Sequence, residues 1–159
     1  MQRKGIPRLS ASRRIARNDN VVTTEQQMIK LGKKIAAELK GGDVVLLYGE
    51  LGAGKTTLTR GIAKYFGIKK NIVSPTFGLM NVYEVKSIKY KVKRLVHVDT
   101  YRLEDEKQLV EIGAEDYIGD PETVCVIEWA EKVSGLLGGK RVKRIFIEVK
   151  GGSRIVKIN

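Results

Sequence analysis

Cysteine and histidine are almost absent from this 159-residue chain, which contains one of each. A single cysteine, Cys125, excludes a disulfide within the chain, and with a single histidine, His97, there are too few side chains for a Cys/His metal site. No apolar run approaches the ~20 residues of a membrane-spanning helix, and none resembles the apolar stretch of a secretory signal. These absences, with a length that suits one domain, predict a soluble cytoplasmic protein.

Acidic residues are also scarce beside basic ones: 18 Asp and Glu stand against 30 Lys and Arg, a formal net charge of +12. Residues 1–20 contain six cations and one acid and lack apolar periodicity, which predicts a disordered basic arm ahead of a single domain at 21–159. A mitochondrial transit peptide has a similar composition, but a solvated tail is the simpler interpretation. The positive excess favours an anionic partner such as nucleic acid or a nucleotide.

Apolar residues recur in patterns that alternate between helix and strand. Thr24 followed by Gln27 matches a capping box at the start of a helix, and Asp43–Tyr48 is a nearly continuous apolar run, typical of a strand buried on both faces. The other predicted elements are a helix through Leu58, Ile62 and Phe66 that ends at Gly67, strands at 79–85, 94–99 and 124–127, a helix at 104–112, and a C-terminal hairpin in which 145–149 and 155–158 flank Gly151 and Gly152. This order predicts an α/β fold in three layers, with a parallel central sheet and antiparallel edge strands.

Residues 49–56, GELGAGKT, match the phosphate-binding pattern G-x-x-x-x-G-K-[ST] in full. They follow the apolar strand and open a helix, which is the context that this pattern requires. Glycines allow successive N–H groups to converge on phosphate oxygens, and the helix N-terminus adds positive potential. Lys55 is expected to reach the β- and γ-phosphates, and the Thr56 hydroxyl to bind Mg²⁺. The spacing therefore predicts nucleotide binding by a single P-loop NTPase domain.

A P-loop enzyme also needs an acid at the end of a neighbouring strand, acting on the metal directly or through water. Asp99 and Glu128 each end an apolar strand. The sequence leaves open which of them acts in this way, and whether either one instead caps a helix or meets a surface lysine. His97 shares a strand face with Asp99, and a packed or supporting role is favoured over a catalytic one. Thr76, in an SPT segment, offers a hydroxyl towards the γ-phosphate or Mg²⁺.

Four segments in this order and spacing, GELGAGKTTLTRG, SPTF, HVDTYRL and IEWAEK, resemble the TsaE family. The resemblance covers about residues 22–158 and implies a Mg²⁺-dependent ATPase required for making threonylcarbamoyladenosine beside the anticodon of tRNAs. It implies TsaB and TsaD as partners, with TsaC supplying the threonylcarbamoyl-adenylate. It also implies that ATP is not the source of the transferred group, and that its hydrolysis resets the TsaB–TsaD complex between turnovers.

The resemblance implies roles for individual residues as well. Lys55, Asp99 and Glu128 take the catalytic positions, and Mg²⁺ binding falls to Thr56, Glu128 and Asp99. The implied nucleotide contacts are Thr24, Glu50, Leu51, Gly52, Ala53, Gly54, Lys55, Thr56, Thr57, Thr76, Trp129 and Gly152, with Thr24 and Gly152 on the adenine side. Thr100 departs from the family pattern, which usually has an apolar residue there.

A nine-residue stretch, KSIKYKVKR, holds five cations. Its alternation predicts a strand with Lys89, Lys91 and Lys93 on one face and Tyr90 and Val92 on the other. An edge strand protected by lysines explains this pattern without any partner. Contact with tRNA phosphates or with an acidic partner is the alternative, and it would make binding strongly dependent on salt.

Two further functions stay open from the sequence alone. A small-molecule or nucleoside kinase on the same scaffold would need an acceptor pocket and an arginine-rich lid, and no lid-like insertion follows the P-loop. A non-catalytic, ATP-gated binding module would bind ATP without turnover. A GTPase is disfavoured because the N/T-K-x-D element that reads guanine is absent.

Overall fold

A seven-stranded sheet organises the computed structural model, which describes residues 18–75 and 79–159. The helices are α1 (Glu25–Ala36), α2 (Lys55–Tyr65) and α3 (Lys107–Glu111), with short 3₁₀ turns at Ala114–Asp116, Ala130–Lys132 and Ser134–Leu136. The strands are β1 (Asn20–Val22), β2 (Asp43–Tyr48), β3 (Met80–Glu84), β4 (Arg94–Asp99), β5 (Thr123–Glu128), β6 (Arg141–Lys150) and β7 (Ser153–Ile158). None of the helices in the described ranges is long and apolar enough to span a bilayer.

The strands lie in the order β1-β7-β6-β2-β5-β4-β3. The four central strands, β6, β2, β5 and β4, pair in parallel. β1 and β7 at one edge, and β3 at the other, pair antiparallel with their neighbours. This arrangement confirms the predicted α/β sheet with a parallel centre, antiparallel edges and a C-terminal hairpin. It also brings the carboxyl ends of β2, β4 and β5 to the same edge, because parallel strands share one direction.

Both faces of the sheet are covered, which explains the continuous apolar run of β2. Val45 and Leu47 pack into a core with α1 and α2, whereas Val44 and Leu46 pack into a second core with α3 and the 3₁₀ turns. Cys125 on β5 lies in this second core, where burial raises the pKa of its thiol to about 12. The elements therefore form three layers, as the alternation of helix and strand predicts.

The first strand of the described residues begins one residue before the predicted start of the domain. Residues 1–17 of the predicted arm lie outside the described residues, but Asn20, its last residue, belongs to β1 and pairs with Val156 of β7. The strand has three residues, too few for an alternating pattern to be read from the sequence. Its pairing depends on β7, which lies at the far end of the chain.

One other local prediction was wrong, and a second was confirmed only over a shorter range. The lysine-rich stretch is not a strand: residues 85–93 form the loop between β3 and β4, closed by the N–H of Val85 donating to the carbonyl of Lys93 at 2.8 Å. The alternation of exposed lysines with a buried Val92 is nevertheless present. The helix expected at 104–112 is shortened to Lys107–Glu111, because the Asp105 carboxylate accepts the Lys107 N–H and turns the chain before the helix begins.

The α1 and α2 backbones touch where two glycines face each other. A Cβ atom on Gly61 would lie 2.2 Å from the carbonyl oxygen of Ile29, and one on Gly32 would lie 2.4 Å from the carbonyl oxygen of Leu58. Both obstacles are backbone atoms, so relief would require the helices to move apart. This contact fixes α2, and with it the 49–56 loop that leads into α2.

We expect Gly61→Ala to lower the free energy of unfolding by about 1–3 kcal/mol, because the added methyl group overpacks this crossing. The cost outweighs the higher helix propensity of alanine relative to glycine. Urea denaturation followed by circular dichroism measures the change. Gly138→Ala is the matched control, since a Cβ there meets nothing within 4 Å and it should shift stability by less than about 0.5 kcal/mol. A neutral or stabilising Gly61→Ala would contradict the close crossing.

Candidate nucleotide site

The 49–56 loop joins the carboxyl end of β2 to the first turn of α2. Gly52 and Gly54 have φ angles of +79° and +109°, a backbone conformation that residues with a Cβ atom rarely adopt. Gly54 is the N-cap of α2 and supplies no side-chain cap, and the first turn contains no acid. The N–H groups of this turn are therefore available to an anion, as the sequence pattern predicts.

Two other elements hold the loop in place. Arg154 on β7 donates from Nε to the carbonyl of Ala53 at 3.1 Å and from Nη2 to the carbonyl of Gly52 at 3.4 Å. On the α1 side, the Met28 methyl carbon lies 3.0 Å from the position that a Cβ on Gly54 would take. Arg154 was missed from the sequence, because about a hundred residues separate it from the loop and no local pattern links the two.

Lys55 points into the centre of the site. Its ammonium donates to the carbonyl oxygens of Gly49 and Glu50, and it lies 4.3 Å from the centroid of the Trp129 ring. The side chain is buried, with 5% of the residue exposed. Burial lowers its pKa, and the carboxylates of Glu128, Asp99, Glu131 and Glu50 oppose that shift. Lys55 is thus a desolvated cation facing acids from several elements.

Asp99 and Glu128, the two candidate acids, are direct register partners at the ends of β4 and β5. Both oxygens of Asp99 are engaged: Oδ2 accepts the Ser74 hydroxyl at 2.6 Å, and Oδ1 accepts the Tyr101 N–H at 2.9 Å. Glu128 also pairs in register with Leu47 of β2, so it stands one strand from the loop. The structure therefore brings both acids to the predicted edge and gives them different surroundings.

His97 holds one oxygen of Glu128. Its Nε2 lies 2.6 Å from Glu128 Oε2, and both side chains are buried. Beside an ionised Glu128, Nε2 is the donor of this hydrogen bond, because a carboxylate can only accept. The other ring nitrogen, Nδ1, has no hydrogen-bond partner among the described residues. His97 is therefore a packed, supporting residue that orients Glu128. The sequence placed His97 on the same strand face as Asp99 and gave no sign of its contact with Glu128.

Trp129 follows Glu128 in a strained backbone conformation, with φ at 60°. Its ring packs on Tyr101, with 4.9 Å between the ring centroids. The buried Thr100 hydroxyl donates to the carbonyl of Glu128 at 2.9 Å and also contacts the carbonyl of Trp129. Thr100 thus fixes the backbone from which the Glu128 and Trp129 side chains extend.

The remaining predicted residues are only partly accounted for. Thr56 and Thr57 lie half-buried in the first turn of α2, whereas Thr76 falls outside the described residues. Thr24 caps α1 by accepting the Gln27 N–H at 3.1 Å, and Gly152 sits in the β6–β7 turn, two residues before Arg154. Their assignment to an adenine pocket stays a prediction. The sequence also missed Glu131, whose carboxylate acts on Lys55.

The donor set suits Mg²⁺ better than a metal that needs a protein cage. Mg²⁺ keeps several waters and takes one or two carboxylates together with substrate phosphates. Within ranges 18–75 and 79–159, no cluster of three or more Asp, Glu, His or Cys side chains is placed to hold a metal. Glu128 Oε1 and the Thr56 hydroxyl make no hydrogen bond among these residues, so both are free to bind a cation. The residues therefore fit the predicted ion.

This geometry defines a class: a mixed α/β protein whose central parallel strand runs into a GxxxxGKT loop, with a buried lysine and two strand-end carboxylates beside it. The family model described as "Threonylcarbamoyl adenosine biosynthesis protein TsaE" matches residues 22–156. The chain belongs to the TsaE family.

Individual relatives agree with that assignment. The chain is 39% identical over 121 residues to the tRNA threonylcarbamoyladenosine biosynthesis protein TsaE of Haemophilus influenzae, covering 73% of both chains. It is 39% identical over 113 residues to the protein of the same name from Bacillus subtilis, covering 71% of this chain and 66% of that one. The crystal structure of YdiB from Bacillus subtilis matches with a TM-score of 0.67 at 28% identity, covering 92% of this chain and 87% of that chain.

We expect His97→Leu to lower the free energy of unfolding by about 2–4 kcal/mol, because it leaves the buried Glu128 carboxylate without its donor while changing little volume. His97→Gln keeps an N–H donor and should lose clearly less. Urea denaturation at neutral pH compares the two variants. Equal losses would show that His97 contributes packing alone.

Proposed function

We propose that this protein is a Mg²⁺-dependent ATPase of the machinery that makes N6-threonylcarbamoyladenosine in tRNA, and that it acts on the TsaB–TsaD complex downstream of TsaC. Membership of the TsaE family supports the pathway. The observation that carries the ATPase activity is the convergence of Lys55, Asp99 and Glu128 beside the 49–56 loop. Sequence spacing and tertiary geometry both support this proposal.

Phosphate binding is assigned to the loop and to Lys55. The unpaired N–H groups at the start of α2 would receive the phosphate oxygens, with the left-handed Gly52 and Gly54 shaping the cradle. Lys55 would place its charge on the β- and γ-phosphates. Because the ammonium is buried, its attraction for developing negative charge is stronger than that of an exposed lysine.

The two acids would divide the remaining work. Glu128, held on one side by His97 and open at Oε1, is assigned to Mg²⁺ and to the attacking water, together with the Thr56 hydroxyl. Asp99, whose oxygens already hold Ser74 and the Tyr101 backbone, is assigned to keeping the segment before Thr76 in position. When bound, Mg²⁺ would neutralise charge on the phosphates.

The charges around Lys55 support a requirement for a partner. Among residues 18–75 and 79–159, the ionisable groups that act on Lys55 are acids, namely Glu128, Asp99, Glu131 and Glu50. Phosphoryl-transfer enzymes commonly use a second cation to stabilise the transition state, and this cation can come from another protein. Slow turnover by the isolated protein and acceleration by TsaB–TsaD follow from the proposal.

Replacing Lys55 should remove catalysis. We expect Lys55→Ala to lower ATP turnover at least about 100-fold, and Glu128→Gln to lower it comparably with a weaker response to Mg²⁺, because each removes charge stabilisation from the transition state. Phosphate release measures both. Lys34→Ala, an exposed α1 lysine, is the control and should turn over ATP as the unaltered protein does. An unchanged rate in Lys55→Ala would rule out the proposed site.

Partner dependence is tested with TsaB and TsaD from the same source. We expect a low rate for the protein alone and a rise of at least about tenfold when the TsaB–TsaD pair is added at saturation, since a supplied cation can contribute that and more. ATP binding without turnover under either condition would favour the gated binding module. ATP consumption that requires an added small acceptor would instead favour the kinase.

A further inference from the structure

One segment of the chain contributes a large share of the protein's net positive charge. Residues 60–94 contain nine of the 30 cations and one of the 18 acids, Glu84. This segment therefore carries +8 of the total +12. It begins within α2 and ends at the first residue of β4, so the structure determines how its cations are displayed.

An aromatic cluster joins the two basic parts of this segment. Tyr90, in the 85–93 loop, packs on Tyr65 and Phe66 at the end of α2, with ring centroids 5.2 Å and 5.4 Å apart. Its hydroxyl donates to the carbonyl of Tyr65 at 2.8 Å. Val85 and Val92 are buried on either side of the loop. The loop is thus anchored to the end of α2, from which the chain continues to Lys69 and Lys70.

A groove runs along the end of α2. It has a volume of about 550 Å³, and its charged lining residues are Arg60, Lys64, Lys69 and Lys70, with no acid among its walls. Arg60 is paired with Glu25 at 3.3 Å, which leaves the lysines as the exposed cations of the groove. We call this groove, together with the loop that Tyr90 anchors to the same end of α2, the basic face. Its cations are Lys64, Lys69, Lys70, Lys86, Lys89 and Lys91.

The lysines of the basic face lack acidic partners. In the part of the chain that the structure describes, no carboxylate lies within ion-pair distance of any of the six. Arg94, next to the loop, is by contrast held by Asp120 at 3.2 Å. Uncompensated cations gathered on one surface repel one another, and an added anion would relieve that repulsion.

The basic face is remote from the nucleotide site. Lys55 begins α2 and Tyr65 ends it, so the helix, 11 residues long, separates the two by about 16 Å. The 85–93 loop precedes β4 and therefore lies at the amino ends of the parallel strands, opposite the edge that carries Asp99 and Glu128. The two surfaces can therefore be altered independently.

We propose that the basic face binds the phosphate backbone of an RNA, and that through it the protein contacts the tRNA on which its pathway acts. The choice of RNA rests on the proposed function. The composition of the face supports it, because charged side chains are depleted at the centres of protein–protein interfaces but supply the affinity for nucleic acid. Ile88, 97% exposed at the loop tip, is available to contact a sugar or base.

The test is binding of the full chain to a fluorescently labelled, unmodified tRNA transcript, followed by anisotropy from 50 to 300 mM KCl. Lys69→Glu/Lys70→Glu and Lys89→Glu/Lys91→Glu should each weaken binding at least about tenfold at 100 mM KCl. Each pair should also reduce the slope of log affinity against log salt by about 2, one unit for each lost phosphate contact.

Lys34→Glu/Lys157→Glu is the matched control, since it makes the same charge change on α1 and on β7, near the other edge of the sheet. It should weaken tRNA binding less than about threefold, because it affects long-range attraction alone. Equal losses in the control and the basic-face variants, or a salt response that the variants leave unchanged, would overturn the proposal.

Two further measurements separate this proposal from the ATPase. Binding of a fluorescent ATP analogue should be unchanged in both basic-face variants, which also shows that they are folded. If the unaltered protein fails to hydrolyse ATP yet binds tRNA through the basic face, the ATPase proposal fails and this one stands. If polyglutamate of equal charge competes as well as tRNA does, the face takes an acidic protein and the RNA proposal is overturned.

Discussion

The parallel pairing of β2, β5 and β4 is the constraint on which the rest of the site depends. It puts Glu128 in register with Leu47 on one side and with Asp99 on the other, at the edge where β2 runs into the 49–56 loop. These strands are buried on both faces. A shift of one residue in their register would turn their apolar side chains and the two acids to the opposite face of the sheet. The core therefore sets the distance between Lys55 and the two carboxylates.

Elements distant in sequence then keep the loop and the acids in place. The glycine crossing positions α2 against α1, and Arg154 ties the loop carbonyls to β7. His97 restrains one oxygen of Glu128 and leaves the other free. Each restraint acts on a group that the proposal assigns to phosphate, metal or water, so the geometry that the proposed site needs is present without a ligand.

α2 relates the two surfaces proposed to act in tRNA modification. Its first turn carries Lys55 and the N–H groups for phosphate, and its last turn supports the aromatic cluster that anchors the 85–93 loop. Acids act on Lys55 at one end, whereas the other end carries lysines that form no ion pair within the described part of the chain. A single helix thus separates a site suited to a nucleotide and a cation from one suited to a polyanion.

The sequence by itself determined the features that depend on neighbouring residues: the GxxxxGKT loop between a buried strand and a helix, the α/β order, the C-terminal hairpin, and the two strand-end acids. The tertiary structure decided what depends on residues far apart in the chain. In the folded protein Glu128 is the acid with a free oxygen, and His97 contacts its other oxygen. Arg154 donates to the loop, and β1 pairs with β7. The tertiary structure also made the lysine-rich stretch an anchored loop, because Tyr90 packs on α2, a contact that alternation along a strand cannot encode. The spacing of residue types along the chain indicates backbone conformation and solvent exposure. Strand register and side-chain partners depend instead on packing between segments that are distant in sequence.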